Sequence, residues 1–179
     1  MDLKIIEAMK HSPIHNYIVP GLTSWLIGQP SNHGCVRLFE MSREQQEFVT
    51  PHSHRFDFEC VVLAGVVTNT KWIRSASGDP YIDRKIGKTQ DFGRYNMELN
   101  GAVDRYSTYS NIYRAGDTYG MSANEIHTIH FGKHAKVLFF EGPMLKTGST
   151  ILEPYVGGVR VPTFKVEPWM FQKEKPCTT

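Results

Sequence analysis

Thr50-Pro-His-Ser-His-Arg-Phe-Asp-Phe-Glu59, running on as Cys60-Val-Val-Leu-Ala-Gly65, joins a His-x-His pair to an apolar run closed by glycine. In an extended strand, residues two apart share a face, so His52 and His54 point the same way. Two imidazoles on one face make half of a metal site. Pro51 suits the first residue of a strand, where its missing N–H costs little. On this stretch alone, a pair of surface histidines ahead of a buried strand is an equally good reading.

A second stretch separates the two readings. Ala115-Gly-Asp-Thr-Tyr-Gly-Met-Ser-Ala-Asn-Glu-Ile-His127 carries a Gly-Asp turn, a strand-like run and another turn, and then a histidine opens the β-branched segment His127-Thr-Ile-His-Phe131. A third imidazole delivered by a distant antiparallel strand is what a tetrahedral or octahedral site still lacks.

Together the two stretches resemble the two motifs of the cupin superfamily, over roughly residues 36–140. Gly116 to His127 keeps the spacing of the second motif, with Ser122 at its proline and Asn124 at its second glycine. Asn is the residue that best replaces Gly where φ must be positive. Phe131 stands where the family has Asn. In the first motif, the frame that fits His54 to Gly65 puts Phe58 at the metal-binding Glu position. Glu59 fits only the longer spacing, and in an unbroken strand it faces away from His52 and His54. A β-bulge at Asp57-Phe58 would turn it back. The expected metal ligands are therefore His52, His54 and His127, with Glu59 as a candidate fourth.

The 179 residues suit one domain (1–179), a cupin-like core with terminal extensions packed on it. A formal charge of +2, without clustered Lys and Arg, gives no reason to expect nucleic acid. No apolar run approaches a membrane span, and the N-terminus lacks a signal-peptide pattern. Cys35, Cys60 and Cys177 are scattered and odd in number, so a reduced, cytoplasmic protein is expected.

Asp2 to Met9 suits a short amphipathic helix, which Pro13 should end. Tyr17 to Ile27 reads as extended pieces broken at Pro20-Gly21 and closed at Gly28-Gln-Pro30. Cys35–Met41, Val66–Ile73, Arg105–Tyr113 and Lys136–Glu141 are strand candidates. Ser42–Glu47 is a loop, Ser75-Ala-Ser-Gly-Asp-Pro80 a turn, and Tyr81–Gly101 a polar segment of little periodicity. Val156-Gly-Gly-Val159 is a hairpin turn, and Pro162–Phe171 an apolar tail containing Trp169. The fold class expected is all-β, an antiparallel double-sheet barrel of the cupin jelly-roll type with a short N-terminal helix.

Face alternation puts His130 opposite His127, as a structural or surface residue. His11, His15, His33 and His134 fall in loops or turns. Arg55 and Asp57 are either an ion pair or partners that orient an imidazole. Phe56, Phe58, Trp72, Tyr106, Tyr119 and Phe131 are candidates to line a pocket, although a barrel core needs such residues anyway. Arg37, Arg74 or Arg105 could clamp a substrate anion.

The resemblance implies a divalent transition metal, Fe(II) first, with Mn, Ni or Zn as alternatives. The leading functional expectation is an Fe(II)-dependent dioxygenase acting on a small molecule, its three neutral ligands resembling those of thiol dioxygenases within the superfamily. Two alternatives stand beside it: a non-catalytic small-molecule-binding cupin and a metal-dependent isomerase or epimerase. A metal-free epimerase would need Asp104 or Asp117 as carboxylate partner to His54 or His127. A homodimer is expected from the apolar side chains of Tyr17–Ile27 and Pro162–Phe171.

Overall fold

The computed structural model describes residues 3–29, 34–88, 95–97 and 101–163. Asp2, His33, Cys177 and the tail beyond Thr163 lie outside the described residues. The chain runs α1 (Leu3–Met9), β1 (His11–His15), β2 (Leu22–Gly28), β3 (Val36–Met41), β4 (Phe58–Ala64), β5 (Val66–Lys88), β6 (Tyr95–Met97), β7 (Val103–Arg114), β8 (Thr118–Met121), β9 (Ile126–Phe131), β10 (Lys136–Glu141), β11 (Gly148–Val156) and β12 (Val159–Arg160). One antiparallel sheet has the order β1-β2-β3-β10-β4-β8. The other has β12-β11-β5-β6, with β7 and β9 also paired to β5.

Strands β3 and β10 show how the layers are made. Both are apolar on consecutive residues, the pattern of a strand covered on both faces. Phe39, Val137 and Phe139 point into the main core between the sheets, with Phe58, Val62, Val67, Ile129 and Phe131. Leu38 and Leu138 point outward into a second cluster, where α1 lays the fully buried Ile6 across them. Lys10 and Lys136, each bonded to both Glu7 and Glu40, tie this helix to β3 and β10.

Four local expectations are corrected. The His-x-His pair is not part of the strand that follows it. Strand β4 begins only at Phe58, after a bend at Arg55-Phe56, and His52 lies in an extended segment bridged to His127 and Ile151. Pro13 does not end α1, which stops at Met9. It sits inside β1, the edge strand of its sheet, at a register break where its missing N–H is harmless.

Ser75–Pro80 is not a turn but an excursion within β5. Arg74 and Asp79 both lie opposite Tyr106, and β7 pairs on either side of them. The excursion folds tightly against its partner, since a Cβ at Gly78 would come within 2.2 Å of the Tyr106 carbonyl. Tyr81–Gly101 is likewise not all loop: β5 continues to Lys88, paired with β11, and β6 returns along it. Val156–Val159 does form the expected hairpin, with Gly157 and Gly158 at φ +60° and +83°.

Candidate metal centre

Three separate pieces of backbone bring His52, His54 and His127 together. His52 N–H donates to the His127 carbonyl and His127 N–H to the His52 carbonyl, each at 3.0 Å. This pins the segment ahead of β4 to the start of β9. Ser53, between the two histidines, faces away and is held by Thr150: its N–H donates to the Thr150 carbonyl, and its hydroxyl accepts from the Thr150 N–H. The ring centroids of the three histidines stand 4.9–5.1 Å apart. One nitrogen from each falls within 4.8 Å of the others.

Hydrogen bonds fix two of the tautomers. His52 Nδ1–H donates to the Thr50 carbonyl (2.9 Å) and His127 Nδ1–H to Asn69 Oδ1 (2.7 Å). Each leaves Nε2 as a lone pair. Asn69 is fully buried on β5, and its Nδ2 donates to Met121 Sδ, which fixes the amide orientation. Burial holds His52 below the usual imidazole range, against the pull of the Thr50 carbonyl. Burial lowers His54 strongly, with His52, Lys146 and Arg55 adding to it; burial does the same to His127, helped by His52, His54 and Lys71. The imidazoles are thus neutral at neutral pH, the state that binds a metal.

This donor set fits a divalent metal. Nε2 of His54 and of His127 are 2.9 Å apart. Two imidazole nitrogens each ~2.1 Å from one ion and at right angles to each other would be separated by about 3.0 Å. The same spacing is a hydrogen bond when His54 carries its proton on Nε2 and donates to the His127 lone pair, and a bound ion would take the place of that proton.

The remaining candidates fall into distinct places. Phe58 lies with its ring 4.7 Å from His54 and 5.7 Å from His127, buried. Glu59 is exposed on the opposite face; β4 pairs without a break with β8 from Phe58 to Val61, so no bulge rotates it inward. Tyr119 is stacked on Tyr113 and edge-on to Phe58. Phe131 belongs to the core, edge-on to Phe39. Trp72 and Tyr106 do not touch the histidines. With Lys71, Arg74, Tyr109 and Glu125 they line an open cleft of about 450 Å³.

His130 faces outward, with Nε2 donating to the Gln45 carbonyl. Asp57 accepts from Ala123 N–H and orients no imidazole. Asp104 pairs with Arg74, and Asp117 accepts from Arg114 N–H, so neither is the carboxylate partner of a histidine. Arg37 donates to Ser24, Arg105 to the Gly78 carbonyl, and Arg74 to Asp83 at the edge of the cleft.

Asn69 and the Thr50 carbonyl are the functional partners that sequence reasoning missed. A lone Asn on the inward register of an otherwise β-prone run was the available sign for the first. The second follows from a bend that no residue pattern announces.

No family model matches this sequence, and no curated protein matches it closely enough to count. Among solved structures, hydroxypropylphosphonic acid epoxidase from S. wedmorenis aligns with a TM-score of 0.44 at 10% identity, over 75% of this chain and 56% of the epoxidase. The chain thus spans little more than half of that enzyme's length. Drosophila melanogaster CENP-C, solved bound to CAL1, aligns at 0.44 and 9% identity, over 78% of this chain and 90% of that one. A cupin superfamily protein from Desulfitobacterium hafniense aligns at 0.40 and 13% identity, over 74% and 83%. The fold is a pair of antiparallel β-sheets with one short helix, and its three-histidine group fits a divalent metal. No helix among the described residues is long and apolar enough to cross a membrane.

Proposed function

We propose that this chain is a metal-dependent cupin whose His52, His54 and His127 hold Fe(II) for O₂-dependent oxidation of a small anionic molecule. The observation that carries the reading is the pair of fixed tautomers: the Thr50 carbonyl and Asn69 each take an Nδ1–H, aiming two Nε2 lone pairs inward beside His54. Iron bound by three neutral nitrogens would keep its full charge and open coordination positions, which suits oxygen chemistry on an anion. Asn69 and Thr50 hold the rings in place. Phe56 and Phe58 shield His54 from water, and Lys146, Arg55 and Lys71 add positive potential near the rings.

The test is reconstitution of untagged protein with Fe(II), Mn(II), Ni(II) or Zn(II), followed by oxygen-electrode assays against small thiols and carboxylates. Oxygen uptake is expected with Fe(II) alone, and not in His54→Ala. The apolar wall that Phe56, Phe58 and Phe139 build around His54 favours a second reading, a ligand-sequestering cupin. Metal-dependent ligand binding without oxygen uptake for any metal would establish that one instead.

A further inference from the structure

Strand β7 pairs with β5 along one edge from Val103 to Arg114. Among the described residues, no strand pairs with its other edge. From Thr108 to Ile112 every residue is exposed on both faces of the strand, with Tyr109 at 44% and Ile112 at 54%. The run Tyr106-Ser-Thr-Tyr-Ser-Asn-Ile-Tyr113 contains no charge, no Pro and no Gly. A bare edge of this length and composition invites pairing, and isolated chains blunt such edges with Lys, Pro or a bulge. None of these interrupts this stretch.

The occupant that fits is a second copy of the same strand. Residues opposite each other in an antiparallel pair share a face, and a two-fold axis through the sheet maps each residue onto its twin on that same face. Such a dimer can therefore be centred only on a residue facing itself. Centring on Tyr109 sets Asp104, which also pairs with Arg74 of its own chain, opposite Arg114 at both ends, the buried Tyr106 opposite Ile112, and Ser107 opposite Asn111. Arg114 is exposed, and its side chain makes no hydrogen bond or ion pair with a described residue. Opposite charges and aromatic–β-branched pairs across strands are both favourable. The slip that would set Arg105 against Arg114 is forbidden by the same symmetry.

We infer that the chain forms a two-fold homodimer by antiparallel pairing of the β7 edges, centred on Tyr109. This rests on the edge alone and stands whether or not the histidines bind metal. It moves the dimer contact away from the Tyr17–Ile27 segment, whose Val19, Leu22 and Ile27 are buried within their own chain. Tyr109, exposed at the rim of the cleft described above, comes to lie at the contact.

The experiment is cysteine cross-linking in a Cys177→Ser background, with light scattering of the wild-type chain. Twin positions on the axis come within about 4.5–5.5 Å between Cα atoms, inside disulfide range. Tyr109→Cys is expected to form a covalent dimer on mild oxidation, and Thr108→Cys, which faces Ser110, is expected to form far less. Arg114→Asp sets Asp opposite Asp and should shift the wild-type dimer at least tenfold toward monomer. A monomeric wild-type mass at tens of micromolar would overturn the proposal. So would a dimer in which Tyr109→Cys and Thr108→Cys cross-link equally, or one indifferent to Arg114→Asp.

Discussion

At the residue scale, the histidine cluster depends on Asn69 as much as on the imidazoles. Its amide is the acceptor that keeps the His127 proton on Nδ1. Asn69→Ala should therefore weaken metal binding by about 10–100-fold while leaving all three ligands in place. Competition with a chromophoric chelator reads this directly, and an unchanged affinity would remove Asn69 from the account. Glu59→Gln and His130→Ala should both retain metal at the wild-type level by elemental analysis, since both side chains point outward. Loss of metal in Glu59→Gln with an intact circular dichroism spectrum would mean that the register of β4 is wrong. The outward Glu59 was expected from an unbroken strand through His54; the strand starts only at Phe58, and its pairing with β8 sets Phe58 inward and Glu59 outward. Asn69 was not readable as a partner, because face alternation tells which side a residue takes but not which ring it meets across the barrel. Cys60, buried beside Tyr119, has its thiol pushed up to about 12 by burial, against the bond from Tyr119. It should react with thiol reagents only on unfolding.

At the scale of elements, α1 is short and owes its place to what lies beneath it, because an isolated helix of seven residues is unstable in water. Ile6→Ala should cost about 2–4 kcal/mol in urea unfolding, the usual range for truncating a fully buried aliphatic residue. The charged tie gives a pH signature. Lys10 and Lys136 hold Glu7 below its ordinary value of 4.5. Burial alone would raise Glu40, but the same two lysines outweigh it and hold Glu40 below 4.5 as well. For carboxyls lowered by folding, the contribution is complete above 4.5 and fades as pH falls through the lower folded values. The gap in urea midpoint between wild type and Glu40→Gln should thus be widest near neutral pH and narrow as pH falls below 4.5 through the lower folded value. A constant gap would show that the lysine contacts carry no weight. The sequence showed the helix and its last residue, Met9, through apolar spacing but misread Pro13, which reads the same whether it stops a helix or sits at an edge bulge. Ser75–Pro80 misled for a similar reason: Ser, Gly, Asp and Pro serve a hairpin turn and an excursion within a strand equally well. Only the continuous pairing of β7 distinguishes them.

At the scale of the whole molecule, the two sheets were legible from runs of short strands, and the meeting of distant histidines from spacing resembling two known motifs. Where the chain crosses between sheets was not legible, and that crossing matters most at His52. Its backbone is bridged to both β9 and β11, and the bend at Arg55-Phe56 then carries the chain into β4 of the other sheet. An ion shared by His52 and His127 would join positions 75 residues apart (127 − 52). It would act as a reversible cross-link closing one long loop of the unfolded chain. A permanent link across such a loop stabilises by about 4 kcal/mol in the chain-entropy picture, and a bound ion contributes according to its concentration. Arg55, at the bend just beyond the link, then becomes a reporter. Trypsin should cut after Arg55 slowly in metal-loaded protein and quickly once a chelator opens the loop. Equal rates in both states would show that the seam between the sheets closes without the ion.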